Sequence, residues 1–163
     1  MKKDSKIMIG SITAGVALCA VFNIWFGKVN VSGQSMENTY KDGEAVIVRK
    51  STEDLKRGDV IIIKEAVGEM NLIKRVIAIG GDTINIDFDN STVTVNGNVL
   101  DEPYIKEPTR ENAEGFEYPI TVPNECFFVM GDNRNNSMDS RDSRVGFIQK
   151  DNIYGKVMFA LPF

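Results

Sequence analysis

The 163-residue sequence contains no histidine and only two cysteines. Without histidine the commonest general base of proteins is missing, which excludes every Ser-His-Asp and Cys-His catalytic arrangement. The usual zinc ligand is missing as well, and we expect neither a metal nor a cofactor. Cys19 lies in an apolar N-terminal stretch and Cys126 lies far along the chain, so they are poor partners for a disulfide. A folded domain in this chain must therefore be held together by its apolar core.

The larger, C-terminal part of the chain is acidic. From Val29 onward it carries 15 basic and 22 acidic residues, a net charge of −7. Because phosphate binding needs clustered lysine and arginine side chains, this balance argues against nucleic acid as a partner. The whole chain is 42% hydrophobic and 26% charged, which suits one compact domain plus one apolar anchor.

The N-terminal apolar stretch has the length of a membrane-spanning helix. Residues 7–26 carry no charge, and 20 such residues cross the hydrocarbon layer of a bilayer. Residues 1–6 contain three lysines and one aspartate, so by the positive-inside tendency the N-terminus stays cytoplasmic and residues 29–163 form an extracytoplasmic domain. A cleaved signal peptide or a lipoprotein signal at Cys19 is the alternative, which is less favoured because the apolar stretch continues to Phe26.

Beyond residue 28 the pattern predicts an all-β domain. Short apolar runs alternate at period two or form continuous blocks separated by Gly, Asp and Asn, which is typical of strands and turns. Asn96-Gly97 between alternating flanks indicates a two-residue type I′ hairpin turn. Four prolines confine residues 101–124 to loop or edge structure. The predicted strands are residues 44–49, 59–64, 71–79, 83–88, 92–95, 98–100, 126–130 and 153–161.

Two residues are candidates for chemistry, Ser35 and Lys74. Ser35 lies in a glycine-bearing turn, where a serine usually only caps or hydrogen-bonds its own backbone. Lys74 interrupts an apolar strand, and a lone lysine there is more often on the solvated face of an edge strand. A lysine desolvated by apolar neighbours, however, has a lowered pKa, and its neutral amine can take a proton from a serine hydroxyl. In a chain without histidine this pairing is the most economical way to activate a serine.

With the segments around them, these residues resemble the bacterial type I signal peptidases, the Ser/Lys leader peptidases. The small size and single apolar span are similar to the compact Gram-positive form of that family. The resemblance implies a signal-peptidase-like catalytic domain of antiparallel sheets preceded by one N-terminal transmembrane helix. The ordered match consists of the apolar span, Ser32-Gly33-Gln34-Ser35-Met36, Arg57-Gly58-Asp59-Val60, Ile73-Lys74-Arg75-Val76, Gly80-Gly81-Asp82 and residues 131–141, GDNRNNSMDSR.

The resemblance implies a role for each matching residue. Ser35 would be the nucleophile, and Lys74 the general base that deprotonates Ser35 and later the deacylating water. Ser137 would hydrogen-bond and orient the lysine amine, while Asp139 and Arg141 would pair to hold the loop that carries Ser137. The remaining implied positions are Gly33 beside an oxyanion hole that uses the Ser35 N–H, Met36 and Ile73 lining shallow pockets for small side chains, and Asp132, Asn133 and Arg134 as scaffold.

The function implied by the resemblance is that of a membrane-bound serine endopeptidase. It would remove N-terminal signal peptides from exported pre-proteins after Ala-X-Ala sites, through an acyl-enzyme. Its partners would be those signal peptides, membrane lipid and a nearby secretion translocon. Two rivals remain, a Ser/Lys self-cleaving peptidase of the repressor type and a non-catalytic, membrane-tethered β domain. The span and the absence of a DNA-binding helical region argue against the first.

Two positions depart from the pattern of that family. Asn38 stands where proline usually follows the nucleophile segment, and Gly80 stands where proline is usual before Gly81-Asp82. Both changes are expected to loosen the backbone near the site, which would affect efficiency or substrate range. The related endoplasmic-reticulum enzymes use histidine as base, so a chain without histidine falls outside that branch.

Overall fold

The computed structural model describes residues 20–68, 70–110 and 115–162. Residues 20–25 are helical and most of the remaining regular structure is β, which confirms the all-β prediction for the domain. The elements are β1 (Phe26–Asn30), β2 (Ala45–Arg49), β3 (Val60–Val67), β4 (Met70–Ile79), β5 (Thr83–Asp87), β6 (Thr92–Val95), β7 (Asn98–Val99), β8 (Ile120–Thr121), β9 (Cys126–Met130), β10 (Ile148–Gln149), a 3-10 turn (Lys150–Asn152) and β11 (Ile153–Ala160).

The strands form two antiparallel sheets. The larger has the order β1-β2-β11-β3-β4-β9-β10 and the smaller the order β7-β6-β5-β8. Eight of the strands match predicted ones, whereas β1, β8 and β10 are additional. Strands β8 and β10 are only two residues long, which is too short for a periodic pattern. Strand β8 lies at the edge of the small sheet, as the prolines around it require.

The predicted membrane span lies largely outside the described residues, since its first thirteen positions, 7–19, are not among them. Within the described part of the chain, none of the helical segments has the length and apolar character needed to cross a bilayer. The predicted end of the span needs a correction at Phe26, which is the first residue of β1 and pairs with Arg49 of β2. This strand begins inside the apolar run, so the run alone does not reveal it.

Three clusters of buried apolar side chains hold the sheets. One joins the small sheet to β4 and β9 and contains Ile84 and Phe128, both 0% exposed. The second and third lie on opposite faces of the large sheet, with Ile73 in one and Leu72 in the other. Strand β4 is therefore covered on both faces, which explains its nearly continuous apolar sequence. The second cluster includes Met36, which fastens the turn after β1 to the sheet.

In two turns the backbone geometry explains the residue types that are present. Asn96 and Gly97 have φ of 53° and 77°, as the predicted type I′ hairpin turn requires. Gly80 packs closely against the loop before β9, because a Cβ at this position would lie 3.0 Å from the carbonyl oxygen of Pro123 and 3.1 Å from Asn124 Cα. Close approach of two backbones, rather than a loosened turn, accounts for the glycine at position 80.

The same reasoning yields a stability prediction for Gly155, where β11 passes between β2 and β3. A Cβ on Gly155 would lie 2.3 Å from the carbonyl oxygen of Arg49 and 2.8 Å from Val48 Cγ1. We expect Gly155→Ala to lower the free energy of unfolding by about 1–3 kcal/mol, measured by urea unfolding, because the strands must separate to admit the methyl group. Met158→Ala, at an exposed position of the same strand, should change little. Equal stability of Gly155→Ala and the unchanged protein would contradict the close approach.

Candidate active site

A groove of about 440 Å³ opens between the end of β1 and the hairpin of β3 and β4. Its walls are formed by residues 29–32 on one side and residues 70–74 on the other, with Ser35 and Ile62 between them. Ser35 and Lys74 therefore face one shared space. Of the two predicted pocket residues, Ile73 lines the groove, whereas Met36 is not part of its wall because its side chain is fully buried in the core beneath.

Strand β4 has an open backbone edge along this groove. On one side, β3 pairs with β4 from Leu72 to Arg75. On the other side, β9 pairs with β4 only from Arg75 to Ile79. Within the described residues, the edge of β4 from Met70 to Lys74 thus has no partner strand on that second side. An extended peptide can pair with such an edge through backbone hydrogen bonds.

Lys74 and Ser35 are in hydrogen-bond contact, with Lys74 Nζ 2.6 Å from Ser35 Oγ. Lys74 is only 2% exposed and lies on β4 in the interior of the large sheet, which excludes the alternative of a solvated lysine on an edge strand. Burial lowers the pKa of its amine from 10.5 to about 8, although the nearby Asp139 carboxylate opposes the shift. A substantial fraction of the amine is therefore neutral near physiological pH and able to accept the Ser35 proton.

Ser35 is held in a tight turn whose backbone is fixed at several points. The N–H of Glu37 donates to the carbonyl oxygen of Gln34 at 3.2 Å, and the N–H of Tyr40 donates to that of Met36 at 2.8 Å. The carbonyl oxygen of Ser35 accepts from the N–H of Asn133 at 3.0 Å. With the Met36 side chain buried below it, the turn presents the Ser35 hydroxyl to the groove.

The backbone N–H of the nucleophile itself is free. The N–H of Ser35 donates to no acceptor within the described residues. The N–H of Gly33, in contrast, donates to Asp42 Oδ1 at 2.8 Å. Gly33 adopts a φ of +88°, which glycine tolerates and other residues do not. The N–H of Ser35 is therefore available to donate to an anion, while the N–H of Gly33 is already engaged.

Ser137 does not make the hydrogen bond that we expected. Its Oγ is buried and has no hydrogen-bond partner, so the expected bond to the amine of Lys74 is absent. The hydroxyl instead packs beside Gly131, where an added Cβ would lie 2.2 Å from Ser137 Oγ and 2.5 Å from the carbonyl oxygen of Ser35. The rotamer of Ser137 directs its oxygen into this small space, and Gly131 is needed because any side chain would fill it.

The expected ion pair of the same loop is present and buried. Arg141 Nε lies 2.8 Å from Asp139 Oδ1, and the two side chains are 3% and 0% exposed. Asp139 Oδ2 also accepts from the N–H of Gly131 at 2.9 Å, and Arg141 donates to the carbonyl oxygen of Arg134. The pair therefore ties both ends of the loop together.

Another buried ion pair joins this loop to β4, between Asp132, which we predicted as scaffold, and Arg75, to which we assigned no role from the sequence. Arg75 donates from Nε and Nη2 to both carboxylate oxygens of Asp132, at 2.8 and 2.6 Å. Thr39, just after the Ser35 turn, donates to the same carboxylate, and the ring of Tyr104 lies 4.0 Å from the Arg75 guanidinium. Only one feature of the sequence indicates this contact. Arg75 directly follows Lys74 and so points to the opposite face of the strand.

The segment before residue 110 also contacts the turn. Asn38 Nδ2 donates to the carbonyl oxygen of Ile105 at 3.3 Å, and Lys106 Nζ pairs with Glu37 Oε2 at 2.7 Å. Proline at position 38 could not donate this hydrogen bond. The asparagine that departs from the family pattern therefore brings a contact of its own.

Comparison with known proteins gives a consistent result. A family model described as signal peptidase, peptidase S26, matches residues 5–161. Signal peptidase I P of Bacillus subtilis subsp. natto is 37% identical over 174 residues, which cover 99% of this chain and 92% of the relative. Signal peptidase I T of Bacillus subtilis strain 168 is 38% identical over 143 residues, 82% of this chain and 72% of the relative. The crystal structure of a signal peptidase I from Enterococcus faecalis V583 is 28% identical with a TM-score of 0.55, covering 66% of this chain and all of that one.

Because Lys74 is buried, replacing it should change the free energy of unfolding in a way that replacing an exposed lysine does not. Because the pKa of Lys74 is lowered to about 8, its protonated form destabilises the fold below pH 8, and the penalty disappears as pH rises from 8 to 10.5. We expect Lys74→Met to raise the free energy of unfolding by about 3 kcal/mol at pH 7 and by much less at pH 10.5, measured by urea unfolding. Lys64→Met, at an exposed position of β3, is the control. A less stable Lys74→Met protein at pH 7 would contradict a buried, destabilising cation.

Proposed function

The chain belongs to the signal peptidase family, peptidase S26, and we propose that it cleaves signal peptides with a Ser35/Lys74 dyad through an acyl-enzyme. The observation that carries the proposal is the contact of 2.6 Å between a buried lysine amine and a serine hydroxyl at one groove. Serine needs a neighbouring base to become a nucleophile, and the chain contains no histidine to supply one.

In the proposed acylation, the neutral Lys74 amine takes the proton of Ser35 Oγ as that oxygen attacks the carbonyl carbon of the scissile bond. The oxygen of the tetrahedral intermediate receives a hydrogen bond from the free N–H of Ser35. As the C–N bond breaks, the Lys74 ammonium gives its proton to the departing amine. The signal peptide then remains esterified to Ser35.

Deacylation reverses the roles with water in place of the amine. Lys74, neutral again, takes a proton from a water molecule that attacks the ester carbonyl. The ester C–O bond breaks, Ser35 Oγ recovers a proton from the Lys74 ammonium, and the signal peptide leaves as a carboxylate. One base therefore serves both halves of the reaction.

The groove supports binding of the substrate as an extended strand. The open edge of β4 offers backbone hydrogen bonds that do not depend on sequence. The side chains of Val31, Ile62 and Ile73 are buried and line the groove, so its lining at these positions is apolar. We infer that this apolar lining binds the small side chains of an Ala-X-Ala site, with Ile73 as a pocket residue and Met36 supporting it from below.

We propose that the chain is anchored in the cell membrane, with residues 1–6 in the cytoplasm, residues 7–25 crossing the bilayer and residues 29–163 forming the extracytoplasmic domain. Ser35 follows Phe26 by nine positions, so the site would lie near the outer membrane surface. Signal peptides end their apolar stretch at that depth, and the bilayer would raise the effective concentration of the cleavage site. Membrane lipid and a nearby secretion translocon are the partners that follow.

The dyad is tested by cleavage of a pre-protein with an Ala-X-Ala site in detergent micelles. We expect Ser35→Ala and Lys74→Ala to lower kcat by about 10³-fold or more, because each removes one member of a unit that acts together. Ser143→Ala and Lys64→Ala, both at exposed positions, should cleave at the unchanged rate. Cleavage by Ser35→Ala or Lys74→Ala at the rate of the unchanged protein would remove the dyad assignment. No cleavage by any of the five proteins would favour a non-catalytic β domain.

The pH dependence of cleavage tests the base. Because only the neutral amine accepts a proton, kcat/KM should rise about tenfold per pH unit below the lowered pKa of about 8 and level off above it. The measurement is kcat/KM for the Ala-X-Ala substrate between pH 6 and pH 10, with and without a metal chelator, which should have no effect. A profile that stays flat across this range would exclude Lys74 as the base.

A further inference from the structure

Asn133 binds two consecutive carbonyl groups of the turn that carries Ser35. Its side-chain Nδ2 donates to the carbonyl oxygen of Gln34 at 3.1 Å, and its backbone N–H donates to that of Ser35 at 3.0 Å. Asn133 is 2% exposed, so water does not compete for either bond. One residue of the loop after β9 thus fixes the peptide groups on both sides of the nucleophile.

The first of these bonds sets the direction of the free N–H of Ser35. The peptide between Gln34 and Ser35 is trans and planar, so its carbonyl and its N–H point in opposite directions. Two donors, Asn133 Nδ2 and the N–H of Glu37, hold the carbonyl oxygen on one side. The N–H is therefore held toward the other side, away from Asn133.

From this geometry we propose that Asn133 is a positioning residue of the oxyanion hole: by binding the Gln34 carbonyl it aims the N–H of Ser35 at the oxygen of the tetrahedral intermediate. The proposal rests on the function proposed above. Asn133 does not touch the substrate in this role. It acts through a peptide group that lies between it and the reacting atoms.

Two features separate this role from that of an ordinary buried asparagine. Asn133 Oδ1 is buried without a hydrogen-bond partner, so the side-chain amide hydrogen-bonds through Nδ2 only. Its orientation is set because the Gln34 carbonyl can only accept, which requires Nδ2 to face it. In addition, the N–H of Gly33 is taken by Asp42, so that donor cannot replace a misaligned Ser35 N–H.

The test compares Asn133→Ala and Asn133→Asp with the unchanged full-length protein in the Ala-X-Ala cleavage assay. The aspartate has nearly the same volume but cannot donate from its carboxylate to Gln34, so it removes the bond without opening a cavity. Removing an oxyanion-hole donor costs about 10²–10³-fold in kcat. We expect misalignment to cost about 10–100-fold in kcat for both variants, with KM changed less than about twofold.

A merely structural role would not produce this pattern together with an unchanged pH profile. Because Asn133 makes no bond to Lys74, kcat/KM of Asn133→Ala should level off at the same pH as in the unchanged protein, whereas the carboxylate of Asn133→Asp is expected to raise the pKa of Lys74 as Asp139 does. Asn135→Ala is the matched control, since this asparagine of the same loop also donates from Nδ2 to a backbone carbonyl, that of Pro108 at 3.0 Å. It should retain the kcat of the unchanged protein. All proteins are compared well below their unfolding temperatures.

Each contrary result has a distinct meaning. Unchanged kcat in both Asn133 variants, with Ser35→Ala inactive, would overturn the role of Asn133 and leave the dyad in place. A raised KM at unchanged kcat would overturn it too, because it would place Asn133 in substrate binding. A shifted pH profile of Asn133→Ala would show that Asn133 acts on Lys74 instead. An unchanged protein that does not cleave, or a Ser35→Ala variant that does, would instead refute the proposed function.

Discussion

The site depends on keeping one lysine amine out of water. Lys74 is buried because β4 lies in the interior of the large sheet and is covered on both faces by apolar clusters. A cation in such a place is unfavourable, and the fold accepts that cost because the neutral amine is the reactive form. The polar contact that it makes is with Ser35 Oγ. The contacts around the groove hold the turn that carries Ser35 and the strand that carries Lys74 at this distance from each other.

Two of the buried ion pairs of the loop after β9 provide that support, and a third joins Arg134 of this loop to Glu102. Asp139 and Arg141 close the loop on itself, while Asp132 and Arg75 attach it to β4. Breaking such a pair by removing one partner leaves an uncompensated buried charge, which typically costs about 3–5 kcal/mol. The loop is thus rigid although it has no regular secondary structure. Because the loop is rigid, the hydrogen bond from the backbone N–H of Asn133 to the carbonyl oxygen of Ser35 holds the turn in place.

The sequence predicted most of the fold and the central pair of the site, but little of what surrounds them. Alternating and continuous apolar runs predicted eight strands, and the absence of histidine made Lys74 the candidate base. The burial of Lys74 depends on its neighbours in the sheet, which a single strand does not reveal. The Ser137 contact was predicted from the resemblance and is absent, because the direction of a hydroxyl depends on its rotamer and on the space beside Gly131. Asn133 acts on a carbonyl 99 positions earlier in the chain, so no local pattern marks it.

Base and oxyanion donor are supported by separate parts of the molecule, and this explains why the two departures from the family pattern are tolerated. Lys74 is held by the sheet, whereas the N–H of Ser35 is held by the loop after β9. Gly80 lies at the far end of β4 against Pro123, and Asn38 binds the carbonyl oxygen of Ile105. Neither replacement of proline removes a contact of Lys74 or of the Gln34 carbonyl. The residues at both positions can therefore differ from the family pattern while the contacts of Lys74 and of the Gln34 carbonyl stay the same.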